Sequence, residues 1–76
     1  MTKLYVGRLP RQATEADLMR IFSDFDARLA EVVHDHFSGR PRGFGYVEIN
    51  GDALAAIKAL NGSMLLGSEI VVAVAP

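Results

Sequence analysis

The stretch Arg42-Gly43-Phe44-Gly45-Tyr46-Val47-Glu48-Ile49 limits what this chain can fold into more than any other segment. A β-strand sends alternate side chains to opposite faces. Gly43, Gly45, Val47 and Ile49 then form one face, and Arg42, Phe44, Tyr46 and Glu48 the other. The first face is aliphatic and suits a core. The second sets two rings between two charges, and unpaired charges resist burial. These rings are therefore expected on an open sheet surface. Leu4-Tyr5-Val6-Gly7-Arg8-Leu9 repeats the pattern, with Leu4 and Val6 on one face and Lys3 and Tyr5 on the other. Exposed rings beside cations, on two separate strands, suit the stacking of unpaired nucleic-acid bases.

The whole chain reads as β-α-β-β-α-β. A first strand covers about Lys3 to Gly7, followed by a loop at Pro10-Arg11-Gln12. Thr14 is a good N-cap, with Asp17 as a first-turn carboxylate. Leu18, Ile21, Phe22 and Phe25 then recur at helical spacing and mark a core face. Asp26 to Arg28 turns the chain into a second strand, about Leu29 to His34, with Ala30 and Val32 facing inward. Phe37-Ser38-Gly39-Arg40-Pro41 is punctuated like a hairpin loop. Asn50 is placed to cap a second helix, roughly Asp52 to Leu60, whose packing stripe is Ala53, Ala56, Ile57 and Leu60. The alanines, with no side chain at Gly45, let this helix lie close to the sheet. Asn61-Gly62 ends it. After a loop through Gly67, Glu69 to Ala75 forms the last strand, with Ile70 and Val72 pointing to the core. Two helices on one face of an antiparallel sheet give a two-layer α+β sandwich.

Arg42 to Ile49 also resembles the RNP1 motif of the RNA-recognition motif (RRM) family, K/R-G-F/Y-G/A-F-V-x-F/Y. Arg42, Gly43, Phe44, Gly45 and Val47 match directly. Tyr46 replaces Phe, and Ile49 departs from the final aromatic on the aliphatic side, where it affects packing. Leu4 to Leu9 resembles the family's RNP2, with Arg8 where the family often carries Asn. The resemblance runs from Lys3 to Ala75. It implies a ferredoxin-like βαββαβ fold with strand order 4-1-3-2, which sets the two motif strands side by side. The implied ligand is single-stranded RNA, with single-stranded DNA as the alternative, and no enzyme activity or cofactor is implied. Tyr5 and Phe44 are expected to stack one base each, with Tyr46 near the sugars between them. Arg42 and Arg40 are the expected phosphate partners, with Arg8 and Lys3 as further candidates. Glu48 would repel a phosphate and accept from an exocyclic amine.

Composition bounds the alternatives. The chain has 76 residues, half of them hydrophobic, which suits one small domain, residues 1–76, with its own core. With no cysteine, disulfides, iron–sulfur clusters and Cys-based zinc sites are excluded. No apolar run is long enough for a membrane helix. The N-terminus lacks a secretory layout, so a cytoplasmic location is expected, or a nuclear one in a eukaryote. The net charge of −1 is low for a nucleic-acid partner. Its distribution matters more. Lys3, Arg8, Arg11, Arg40 and Arg42 belong to the motif strands or adjacent loops. Glu15, Asp17, Asp24, Asp26 and Asp52 fall in or beside the helices. A basic sheet face can thus coexist with an acidic back.

Other functions fit less well. Val71 and Ala73 make the fourth strand apolar on the same face, which also suits a protein partner or weak self-association. Acyl-phosphate hydrolases share this layout but need an arginine cradle in the first loop and a positioned asparagine. Here Arg8 and Arg11 lie near that loop, while Asn50 and Asn61 are at helix ends. Gly43-Phe44-Gly45 lacks the third glycine of a dinucleotide fingerprint. His34 and His36 share a strand face with no third metal ligand, because Asp35 points the other way; they read as exposed strand-end histidines. Phe37, at a loop tip, reads either as a lid over the domain edge or as an additional stacking ring.

Overall fold

Burial alternates along the strands as the sequence pattern requires, and this sorts the chain into two layers. A computed structural model describes residues 1–76. The elements are β1 (Thr2–Gly7), α1 (Glu15–Ile21), a 3-10 turn (Ser23–Phe25), β2 (Ala27–His34), β3 (Pro41–Ile49), α2 (Ala53–Leu60), a short hairpin of β4 (Met64–Leu65) and β5 (Ser68–Glu69), and β6 (Val71–Val74). The main sheet has the order β2-β3-β1-β6 and is antiparallel throughout. With β6 as the fourth long strand, this is the expected 4-1-3-2 order, and the two motif strands are central.

Leu4 and Val6 of β1, Val32 of β2, Val47 and Ile49 of β3 and Val72 of β6 are buried together with Leu18, Phe22 and Ala56 from the helical layer. Both helices therefore cover one face of the sheet. Phe22, Leu4, Leu18, Ile49 and Ile70 are fully buried, and each such side chain stabilises the fold by roughly 1.5–3 kcal/mol.

Local chemistry starts each helix. The Thr14 hydroxyl accepts from the Asp17 amide at 3.2 Å, and the Asp17 carboxylate accepts from the Thr14 amide at 3.0 Å. This reciprocal capping box satisfies two amides that have no partner within the helix. α1 ends at Ile21, and the chain tightens into the 3-10 turn, so Phe25 packs on the core from outside the helix. The cap of α2 is Asp52, whose carboxylate accepts from the Ala55 amide at 3.1 Å, and not Asn50 as expected. The Asn50 amide donates instead to the Asp26 carbonyl at 3.0 Å, prolonging the β2–β3 pairing.

Three further expectations are corrected. The last strand begins at Val71. Glu69 pairs with Met64 in the hairpin, which Leu66 and Gly67 close with φ of 50° and 86°. Both central residues at positive φ suit a two-residue hairpin turn, and the hairpin adds Leu65 to the core. β2 begins at Ala27, two residues before the expected start, with a register shift between Ala27 and Leu29. Gly45 serves the sheet rather than the approach of α2. A methyl group there would run into the Glu31 carbonyl of β2.

The Glu15 carboxylate reaches across from α1 to accept from the Val32 amide of β2 at 2.9 Å. This bond is the main reason the Glu15 carboxyl is held below its ordinary value of 4.5. A carboxylate with a depressed folded-state pKa contributes stability that is present above the unfolded value and lost as pH falls through the folded one. The stability of the wild-type protein should thus fall below about pH 4.5. Glu15→Gln should lower stability near neutrality by about 1 kcal/mol or less, given solvent screening, and should flatten part of the acid slope. Urea denaturation at several pH values checks both. Gly45→Ala should destabilise by about 1–3 kcal/mol in the same assay, because backbone must shift to admit the methyl group.

Candidate nucleic-acid interface

The strand register assembles the open face. Across β1 and β3, Lys3 stands opposite Glu48, Tyr5 opposite Tyr46, and Gly7 opposite Phe44. On the outer strands, Ala73 lies opposite Tyr5, and Glu31 lies opposite Tyr46. One row therefore crosses the sheet as Ala73, Tyr5, Tyr46, Glu31. The side chains between these positions, Leu4, Val6, Val47 and Val32, are buried under the helices. The rings must then lie on the opposite, uncovered side, as the sequence pattern requires.

Tyr5, Phe44 and Tyr46 form one cluster. The Tyr5 and Phe44 centroids are 5.8 Å apart with planes inclined at 30°. Tyr46 is 6.2 Å from Tyr5 and 6.0 Å from Phe44, at steep angles of 66° and 87°. All three are half-buried, by one another and by the sheet. Tilted and edge-to-face contacts at these distances stabilise aromatic groups, so the cluster holds its shape without a ligand. Gly7 makes room for it. A Cβ at Gly7 would lie 2.6 Å from the Tyr5 hydroxyl oxygen, so the Tyr5 ring lies over a position that has no side chain.

Cations border the rings. The Lys3 ammonium lies 4.8 Å from the Tyr46 centroid, and the Arg42 guanidinium 5.8 Å from that of Phe44. Both are within cation–π range. Arg8 is exposed and has left-handed backbone, φ 59°, and its carbonyl accepts from the Ser68 hydroxyl at 2.7 Å. The next amide, Leu9, donates to the Gly43 carbonyl at 2.8 Å, which sets Arg8 at the Arg42 end of the face. Lys3 and Glu48 stand at the other end.

Arg40 leaves a closed loop at the start of β3. The Asp35 carboxylate accepts from the Phe37 and Ser38 amides at 2.8 and 2.9 Å. The Ser38 and Phe37 bonds, in that order, hold the Asp35 carboxyl below its usual range. The Asp35 amide in turn donates to the Arg40 carbonyl at 2.8 Å. Phe37 at the tip of this loop is 100% exposed. It touches nothing that it could cover, so it is not a lid. His34 and His36 are exposed at the end of β2 and in the loop.

Tyr5, Phe44, Tyr46, Lys3, Arg42 and Glu48 thus share one surface, with Arg8 and Arg40 near its arginine end. No cavity opens onto it. Two contributors escaped the sequence reading, Gly7 and Glu31. Alternation with the buried Val32 would have put Glu31 on the open face, but only the register shows that it adjoins Tyr46.

Relatives share both the sequence pattern and the backbone. The family model for the RNA recognition motif matches residues 4–71. RbpD of Nostoc sp., named for RNA binding, is 42% identical over 70 residues, covering 88% of this chain and 74% of RbpD. The crystal structure of RNA-binding protein PG1 superposes with a TM-score of 0.91 at 32% identity, covering 99% of this chain and 94% of that one. The Sxl-lethal protein in complex with RNA gives a TM-score of 0.85 at 35% identity, over 97% of this chain and 47% of that one. With motif strands, topology and relatives in agreement, this chain belongs to the RNA recognition motif family.

Proposed function

We propose that this chain binds single-stranded RNA on the open face of its sheet, with bases stacked on the ring cluster and phosphates held by arginine and lysine. The observation that carries this reading is the cluster itself: three aromatic rings outside the core, on the two central strands, with cations against two of them. Base–aromatic stacking contributes roughly 1–3 kcal/mol per base. The relatives named for RNA and the complex with RNA support the same ligand.

One base takes the Tyr5 ring. The register favours Tyr46 for the next base, because Tyr46 is directly opposite Tyr5 whereas Phe44 is opposite Gly7. This exchanges the roles expected from the sequence and leaves Phe44 against the sugars. Lys3, whose ammonium covers Tyr46 in the free protein, moves to a phosphate. The ring planes favour the original assignment, since Tyr5 and Phe44 are closer to parallel. Substitution separates the two placements. Tyr5→Ala and Tyr46→Ala should each weaken binding to a short single strand by about 1–3 kcal/mol in fluorescence anisotropy. A larger loss at Phe44 than at Tyr46 would restore the sequence-based roles.

Arg42, Arg40, Arg8 and Lys3 supply four cationic contacts. The logarithm of affinity should therefore fall against the logarithm of salt with a slope of about −3 for a single strand. A slope near zero would contradict phosphate binding. A second reading rests on β6, where Val71 is 37% and Val74 55% exposed at a sheet edge. An edge of this kind suits a protein partner. It would appear in sedimentation as self-association that rises with concentration and responds little to salt.

A further inference from the structure

Glu31 is out of place on a surface that binds polyanions. It is exposed, it stands directly opposite Tyr46, and its neighbour Val32 is buried beneath the helices. The ion pairs of the protein are Asp17 with Arg20 and Asp26 with Arg28, so the Glu31 carboxylate has no cation. Glu48 makes no ion pair either, but Lys3 is its partner across the strands, whereas Glu31 faces Tyr46. β2 is the edge of the sheet, and no further strand lies beyond Glu31. An unpaired carboxylate ending the row Tyr5, Tyr46 repels phosphate. It becomes an asset when it accepts hydrogen bonds from the edge of a base resting on Tyr46.

We propose that Glu31 is a specificity-determining residue that selects guanine for the base on Tyr46. The proposal rests on the RNA-stacking reading above. In a single strand the Watson–Crick edge of a base is open to side chains. Guanine alone presents two adjacent donors there, N1–H and the N2 amine. A carboxylate offers two acceptor oxygens side by side, so the pair is bidentate and charge-assisted, with the geometry of an arginine–carboxylate fork. Adenine and cytosine each offer one amine next to a ring-nitrogen lone pair, which faces the second oxygen unfavourably. Uracil offers one N–H between two carbonyls. Neighbouring strands lie about 4.7–4.9 Å apart, so a base over Tyr46 places its outer edge toward Glu31.

The test uses short uridine oligonucleotides with one central base varied among guanine, inosine, adenine, cytosine and uracil, measured by fluorescence anisotropy. The central guanine should bind roughly tenfold tighter than uracil. Inosine, which keeps N1–H but lacks the N2 amine, should fall between them. In E31Q, with its fold checked by circular dichroism, the guanine-to-uracil ratio should shrink toward one. Equal affinities across the series, a preference for another base, or loss of the guanine preference in E48Q rather than E31Q would overturn the assignment. Failure of the folded protein to bind any of these strands would overturn the RNA reading itself, and this assignment with it.

Discussion

The antiparallel pairing of β1 with β3 is the constraint on which everything else depends. It places Leu4 opposite Val47 and Val6 opposite Gly45 on the core side. The same register necessarily places Tyr5 opposite Tyr46 on the other side. A slip of one residue would drive the rings inward and expose the aliphatic set. Burial of Leu4, Val6, Val47 and Ile49 therefore also fixes the position of the aromatic cluster. Stability and site geometry are two consequences of one hydrogen-bond ladder.

The surroundings hold that ladder in place by satisfying polar groups at its margins. Glu15 takes the Val32 amide of one edge strand, and Asn61 takes the Val72 amide of the other at 3.0 Å. Ser68 ties the new hairpin to the carbonyl of Arg8, at the exit of β1. Each bond contributes little by itself. Together they occupy backbone groups that an exposed sheet edge would otherwise offer to other chains. The face left open is consequently a surface of side chains, where rings and charges decide what binds.

Much of this was legible in the sequence because it depends on alternation, which a single strand displays. Arg42 to Ile49 and Leu4 to Leu9 announce two-faced strands, and Leu18 and Phe22 announce a helical core face. Thr14 and Asp17 announce the start of the first helix. What escaped depends on pairing between distant segments. Asn50 has the side chain of a cap, but it is drawn into pairing with Asp26, so the role passes to Asp52. The hairpin around Leu66 was hidden because a leucine is a poor signal for a left-handed turn. Gly45 suggests a close helix from sequence, whereas its close neighbour is the Glu31 carbonyl. The strand order came from family resemblance, since periodicity carries no information about which strands are adjacent.

The resulting face is asymmetric. Arginines gather where β1 exits and β3 begins, and carboxylates stand beside Tyr46 at Glu31 and Glu48. A single strand lying across such a face meets arginines at one end, and Lys3 beside carboxylate acceptors at the other. Electrostatics of this kind orients a ligand more than it tightens binding. The most direct measurement is an NMR titration of the isotopically labelled protein with a short single-stranded RNA. The largest shifts are expected in the ring and backbone signals of Tyr5, Phe44 and Tyr46, with α1 and α2 nearly silent. Shifts concentrated on the helices or on the β6 edge, with the three rings unperturbed, would contradict the account.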